Sequence, residues 1–350
     1  MSDQDHFRCD PDWEEFARKN DIPLPPHDIQ PSSEPIEPIE VDIAAARAGQ
    51  ASVDFEWAAA HPLEAVGYVA RSTIIKVRDG TNISVKISYP GFARRVKDTA
   101  LPVLFATHGG GWIQGSHTSE EAWLLQPLYE HLDLVIVSVE FRLAPEHRYP
   151  IWIEDSWDVL ERLLFSSAQE SVFSNLEVKL DLQKVILAGS SSGAGIAAAL
   201  SQMCRDRMIP ISGIVLNVPV LCDYRHFPTK YANKGHPSSY TQYANTFMGS
   251  GFMVWVWNLI HPSPTTGTDP RASPLLGDCI NLPRHLIFVA GQDPVRDEGI
   301  AYATKLEDSG VPVEIHIYKG VPHNFSHFPE LKATIKFWVD LRAALEKWLE

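Results

Sequence analysis

From Gly67 onward, short runs rich in apolar and β-branched residues recur at 68–77, 82–89, 101–107, 132–139, 184–188, 211–217, 285–290 and 312–318. Runs of this length and composition predict eight strands. From the third run onward the intervening stretches read as helices, so parallel pairing through crossover helices is the natural topology of an α/β protein. Thr118 with Glu121 reads as a capping box ahead of a helix over 122–132. Trp157, Leu160, Leu163 and Leu164 share one face of a helix over 154–165. Near the C-terminus Leu331, Ile335, Trp338, Leu341, Leu345 and Trp348 recur at three- and four-residue steps, predicting an amphipathic helix whose stripe packs on the sheet.

Two segments break this rhythm. Residues 20–40 carry Pro23, Pro25, Pro26, Pro31, Pro35 and Pro38 among acidic residues, which predicts an extended arm flanked by short helices. The stretch 218–284, between the sixth and seventh strands, is far longer than a crossover and carries Tyr240, Tyr243, Phe247, Phe252, Trp255 and Trp257. It predicts a lid, with about half of these aromatics gluing it to the core and the rest lining an apolar substrate cavity.

Size and charge narrow the classes. With 350 residues and 45% hydrophobic content, the chain can bury one large core and keep about a hundred residues for an accessory lid. Its net charge of −14, from 30 Lys and Arg against 44 Asp and Glu, repels phosphate backbones and anionic headgroups, so neither nucleic acid nor membrane is expected as a partner. The first residues lack the pattern of a secretory signal and the apolar runs are too short to span a bilayer, which makes a cytoplasmic protein the expectation. Cys9, Cys204, Cys222 and Cys279 are scattered without a C-x-x-C pair, and read as buried or incidental thiols. His323 and His327 have i, i+4 spacing, but residue 324 is Asn, so the zinc-protease pattern is missing. No metal or cofactor is expected, and a homodimer is left open. Gly193, Gly195 and Ala198 formally match a dinucleotide fingerprint, yet they follow the fifth strand and lack the acidic residue that fingerprint needs.

The chemistry lies in two glycine motifs. His108-Gly109-Gly110-Gly111-Trp112 follows the third strand, and consecutive glycines let a backbone turn closely around a substrate oxygen with N–H donors aimed at it. Gly189-Ser190-Ser191-Ser192-Gly193 follows the fifth strand, and only Ser191 has glycine at both −2 and +2, as a nucleophile elbow requires. A lone G-x-S-x-G arises by chance in roughly one chain in ten of this length, so the weight rests on the pair and on the strand before each. An elbow serine needs an imidazole to take its proton and a carboxylate to fix the tautomer, in the order serine, acid, histidine. Asp293 and His323 follow the seventh and eighth strands and supply that order. Asp297 and Glu298 fall inside a helix begun near Pro294, and His316 lies within the last strand. The oxyanion donors expected are the N–H groups of Gly109, Gly110 and Ser192.

These residues resemble the α/β-hydrolase fold and, within it, the hormone-sensitive-lipase-like carboxylesterases. Besides the two motifs the resemblance rests on Phe141-Arg-Leu-Ala-Pro-Glu-His-Arg-Tyr-Pro150, Asp269-Pro-Arg-Ala-Ser-Pro274, Asp293-Pro-Val-Arg-Asp-Glu298, and His323 with Phe325, in the family's order. It implies a mostly parallel eight-stranded sheet with flanking helices and a helical cap. Residues 1–66 would form the arm and part of the cap, 67–218 the first part of the catalytic core, 219–270 the cap insertion and 271–350 the rest of the core. It further implies a serine hydrolase cleaving carboxylic esters of small to medium apolar substrates, with catalytic Ser191, Asp293 and His323 and substrate contacts from Trp112, Tyr240, Phe252 and Trp255. The alternative is an acyltransferase, or a lactone-forming or hydrolytic thioesterase for a polyketide-like acyl group, using the same triad. A pure binding protein is disfavoured because all three triad members are present. Ser190 and Ser192 stand where the family commonly has Asp and Ala, and Glu140 where it has Asp. His108 is expected to hold the glycine loop.

Overall fold

A computed structural model describes residues 8–24, 35–92, 94, 99–165, 173, 176–231, 239–242, 248–261 and 263–350. Its centre is an eight-stranded sheet of β1 (Tyr68–Lys76), β2 (Asn82–Pro90), β3 (Ala100–Thr107), β4 (Val135–Glu140), β5 (Lys179–Ser190), β6 (Gly213–Asn217), β7 (His285–Gln292) and β8 (Val313–Pro322). The order is β1-β2-β4-β3-β5-β6-β7-β8. All eight apolar runs became strands. β2 pairs antiparallel with β1 and β4, while every later pair is parallel. The tight Asp79-Gly80 connection, with Gly80 at φ +88, permits the one hairpin; the parallel pairs need crossovers.

Ten helices are described: α1 (Pro11–Lys19), α2 (Ile43–Ala60), α3 (His117–Glu120), α4 (Gln126–His131), α5 (Ile151–Phe165), α6 (Ser192–Asp206), α7 (Ser239–Gln242), α8 (Ser250–Ile260), α9 (Arg296–Asp308) and α10 (Lys332–Leu349). Strand side chains alternate between faces. Val103, Phe105, Val185 and Leu187 meet Trp157, Leu160 and Ile196 on one side. Leu104, Ala106, Ile186 and Ala188 meet Leu128, Phe337 and Leu341 on the other. Both layers close over the centre of the sheet, where β3 and β5 pair with Thr107 opposite Gly189. That register sets the two glycine motifs side by side.

Three local expectations are corrected. The capping box is Ser116 with Ser119, not Thr118 with Glu121. Glu121 instead pairs with Lys86 at 2.7 Å and accepts the Tyr129 hydroxyl. Beyond α3 the chain widens into a π-helical turn, Glu121–Leu125, before α4. Pro127 lacks the N–H that would bond residue 123, so one uninterrupted α-ladder cannot run through. In α10, Phe337 is buried and Ile335 is 50% exposed. Ile335 lies roughly 120° around the helix from Leu341, off the buried face, by the 100° step of an α-helix.

Helices do flank the arm: Trp13 of α1 stacks on Phe16 and Phe328, and Arg47 of α2 donates to the carbonyls of Ile113 and Ala144. Arm residues 35–42 carry no regular structure; Pro25, Pro26 and Pro31 lie outside the described residues. Ile39 N–H donates to Gly251 O of α8, and its side chain covers that glycine. The arm and the insertion are thus joined. Tyr243 and Phe247 lie outside the described residues.

Candidate active site

β5 ends at Ser190 and α6 begins at Ser192, leaving Ser191 alone on the turn at φ 52, ψ −119. A non-glycine residue there is strained, and the neighbours hold it in place. Its N–H donates to Asn217 O at 2.8 Å. Gly189 lacks the side chain that would reach 2.5 Å from the Gly193 backbone, and a Cβ on Gly193 would collide with the carbonyl oxygens of Thr107 and His108. Those oxygens lie at the end of β3 and on the residue just after it, where the backbone is held by the sheet. Gly193→Ala is therefore expected to cost about 1–3 kcal/mol through overpacking. Chemical denaturation measures this, and an unchanged midpoint would contradict it.

Asp293 and His323 directly follow β7 and β8. His323 Nε2 lies 2.8 Å from Ser191 Oγ, and its Nδ1 lies 2.7 Å from Asp293 Oδ2. A carboxylate can only accept, so Nδ1 carries the proton and Nε2 is free to accept from the serine. All three are nearly buried, at 4%, 3% and 1% exposure for Ser191, His323 and Asp293. Asp293 Oδ1 accepts Val295 N–H, which pins the carboxylate. Trp123 meets the His323 ring edge-on at 5.7 Å.

The competing groups are engaged elsewhere. Asp297 accepts from Ser239 N–H and Arg296. Glu298 is buried against the N–H groups of Leu221 and Cys222, and burial holds its carboxyl well above the usual range. His316 sits beside Glu314 and Asp340. His327 packs on Trp123, and burial lowers it to about 4.

The oxyanion expectation changes by one residue. Gly109 donates its N–H to Glu120 Oε2 at 3.1 Å, so that donor is not available to a substrate. Gly110 at φ +116 and Gly111 at φ +62 form the turn that follows, and among the described residues no acceptor takes their N–H groups. Ser192 opens α6, where a first-turn N–H has no acceptor inside the helix. The available set is Gly110, Gly111 and Ser192. His108 is buried, stacks on Phe141 at 4.1 Å and places Nδ1 2.8 Å from Gly109 O; burial lowers its pKa, keeping it neutral. Ser190 Oγ lies 2.9 Å from Glu120 Oε1 and accepts from Asn217 at 3.2 Å. Glu140 accepts His117 N–H at the start of α3. Gly111 and Glu120 were missed from sequence: the triple glycine signalled a donor loop but not which donor is taken, and nothing near Glu120 marks it.

The expected substrate contacts are spread out. Phe252 lies against Gly111, with Trp255 tilted on it at 6.0 Å. Tyr240 lines a cavity of about 200 Å³ with Ile36, Tyr224, Phe227 and Glu298. Trp112, at 3% exposure, packs on Trp152 and Trp257 in the interior. No described helix is long and apolar enough to cross a membrane.

A profile of the alpha/beta hydrolase fold matches residues 104–327, which span both glycine motifs, Asp293 and His323. The chain belongs to that family. An esterase of Gibberella moniliformis is 31% identical to the hydrolase over 239 residues, 67% of this chain and 70% of the relative. The crystal structure of an esterase from Pyrobaculum calidifontis is 26% identical and superposes with TM-score 0.71, covering 90% of this chain and 95% of its own. Vibralactone cyclase, 24% identical, has TM-score 0.80 and covers 100% and 97%; at that identity the likeness concerns the fold.

Proposed function

We propose that the hydrolase is a carboxylesterase cleaving small to medium apolar esters through an acyl-enzyme on Ser191. The unbroken chain from Ser191 Oγ through His323 to Asp293 carries this reading, and the relatives named esterases support an ester as the substrate. Ser191 Oγ attacks the carbonyl carbon while its proton passes to His323 Nε2, and Asp293 stabilises the resulting imidazolium. The carbonyl oxygen becomes an oxyanion facing the N–H groups of Gly110, Gly111 and Ser192. Collapse breaks the C–O bond, and the alcohol leaves with the proton from His323. Water then attacks the acyl-enzyme, giving its proton to His323; release of the acid restores the serine hydroxyl.

Phe252, Trp255 and Tyr240 are the proposed substrate contacts, and a cap that brings them over the ester would bound an apolar site. Trp112 is left out of this set, because its ring packs on Trp152 and Trp257. A bounded site favours acetate and butyrate over octanoate, with palmitate poorest, among p-nitrophenyl esters. Initial rates across that series test this. A palmitate optimum with activation at an oil–water interface would refute it.

A further inference from the structure

Glu120 takes no part in the relay, yet its side chain is fully buried where the two glycine motifs meet. One carboxyl oxygen joins Ser190 Oγ, next to the nucleophile, at 2.9 Å; the other accepts Gly109 N–H at 3.1 Å. Gly109 is held on its other side too, because His108 Nδ1–H donates to its carbonyl at 2.8 Å. In a planar trans peptide that carbonyl and the Gly110 N–H point in opposite directions. Clamping residue 109 at both ends therefore sets the aim of the Gly110 donor. The chain just after Glu120 is the π-helical turn Glu121–Leu125, a rare form that concentrates at functional sites. It brings Trp123 against both Gly109 and the His323 ring.

We propose that Glu120 is a positioning residue that locks the oxyanion loop to the nucleophile elbow, so that the donors and the serine keep one fixed spacing. This rests on the reading of Ser191 as nucleophile. Burial pushes the Glu120 carboxyl up to about 8, so at neutral pH it is mainly uncharged and does not oppose the negative oxyanion forming nearby. Glutamine can reproduce both contacts of the neutral acid, its oxygen accepting from Gly109 and its NH2 donating to Ser190 Oγ. Aspartate, one methylene shorter, cannot span both partners, and leucine offers neither contact.

The test measures kcat and KM for p-nitrophenyl butyrate, affinity for a trifluoromethyl ketone transition-state analogue, and thermal melting of the full chain. Losing one oxyanion donor typically lowers kcat by 10²–10³, and misaiming one should cost no more than the low end of that range. Expected are a kcat within about threefold of the parent for Glu120→Gln, about tenfold lower for Glu120→Asp and about 100-fold lower for Glu120→Leu, by that scale. KM should stay within about twofold throughout, because the donors act on the transition state, and ketone affinity should fall in step with kcat. If Glu120→Leu does not fold, Glu120→Asp decides. A folded Asp or Leu variant with the parent's kcat, or a loss carried by KM alone, overturns the role of Glu120. Failure of a fluorophosphonate to label Ser191 in the parent would instead overturn the underlying mechanism.

Discussion

Ser191→Ala should abolish acyl-enzyme formation and leave the fold intact. The hydroxyl is the attacking atom, and removing a triad serine lowers kcat by about 10⁶ in a comparable relay, with binding and the oxyanion donors accounting for what remains. Alanine also carries a Cβ, so the strain of φ 52 at this turn is the same before and after. The lost contact is one hydrogen bond to His323, which was tuned for reaction. Intact-mass spectrometry after fluorophosphonate treatment should show one adduct on the parent and none on the variant, with coincident melting curves. Ser190→Ala and Ser192→Ala should still be labelled. An adduct mapped to Ser190 or Ser192 would move the nucleophile.

Asp293→Asn should lower kcat by about 10⁴ with little change in KM, the scale seen when the acid of a serine-protease triad becomes an amide. The amide NH2 facing Nδ1 favours the tautomer with its proton on Nε2, which cannot accept from Ser191. Asp297→Asn should stay close to the parent, because Asp297 serves Ser239 and Arg296. Steady-state kinetics on p-nitrophenyl butyrate separates them. A large loss in Asp297→Asn alone would reassign the acid.

The strands were legible because a buried parallel sheet demands near-continuous apolar runs, and β3, β6 and β7 meet that demand. The relay was legible because an elbow imposes local glycines and the fold imposes chain order. What could not be read depends on contacts between distant segments. Which glycine N–H remains open turns on Glu120, eleven positions from Gly109. Ile335 fits a three-and-four pattern as well as Phe337 does, and only the face that the helix turns to the sheet, with Phe337 and Leu341 buried and Ile335 exposed, selects between them. Trp112 follows a donor loop and invites a substrate role, yet its ring turns inward between Trp152 and Trp257.

The pairing of Thr107 with Gly189 has a temporal side. The oxyanion loop leaves β3 and the nucleophile leaves β5, so a chain in which these strands have not met holds a serine without a catalyst. Such a contact between remote segments forms late, because the entropy of closing the intervening loop must be overcome first. Nascent or partly unfolded molecules are therefore chemically inert toward esters. The return of turnover during refolding is a clock for the closure of the middle of the sheet.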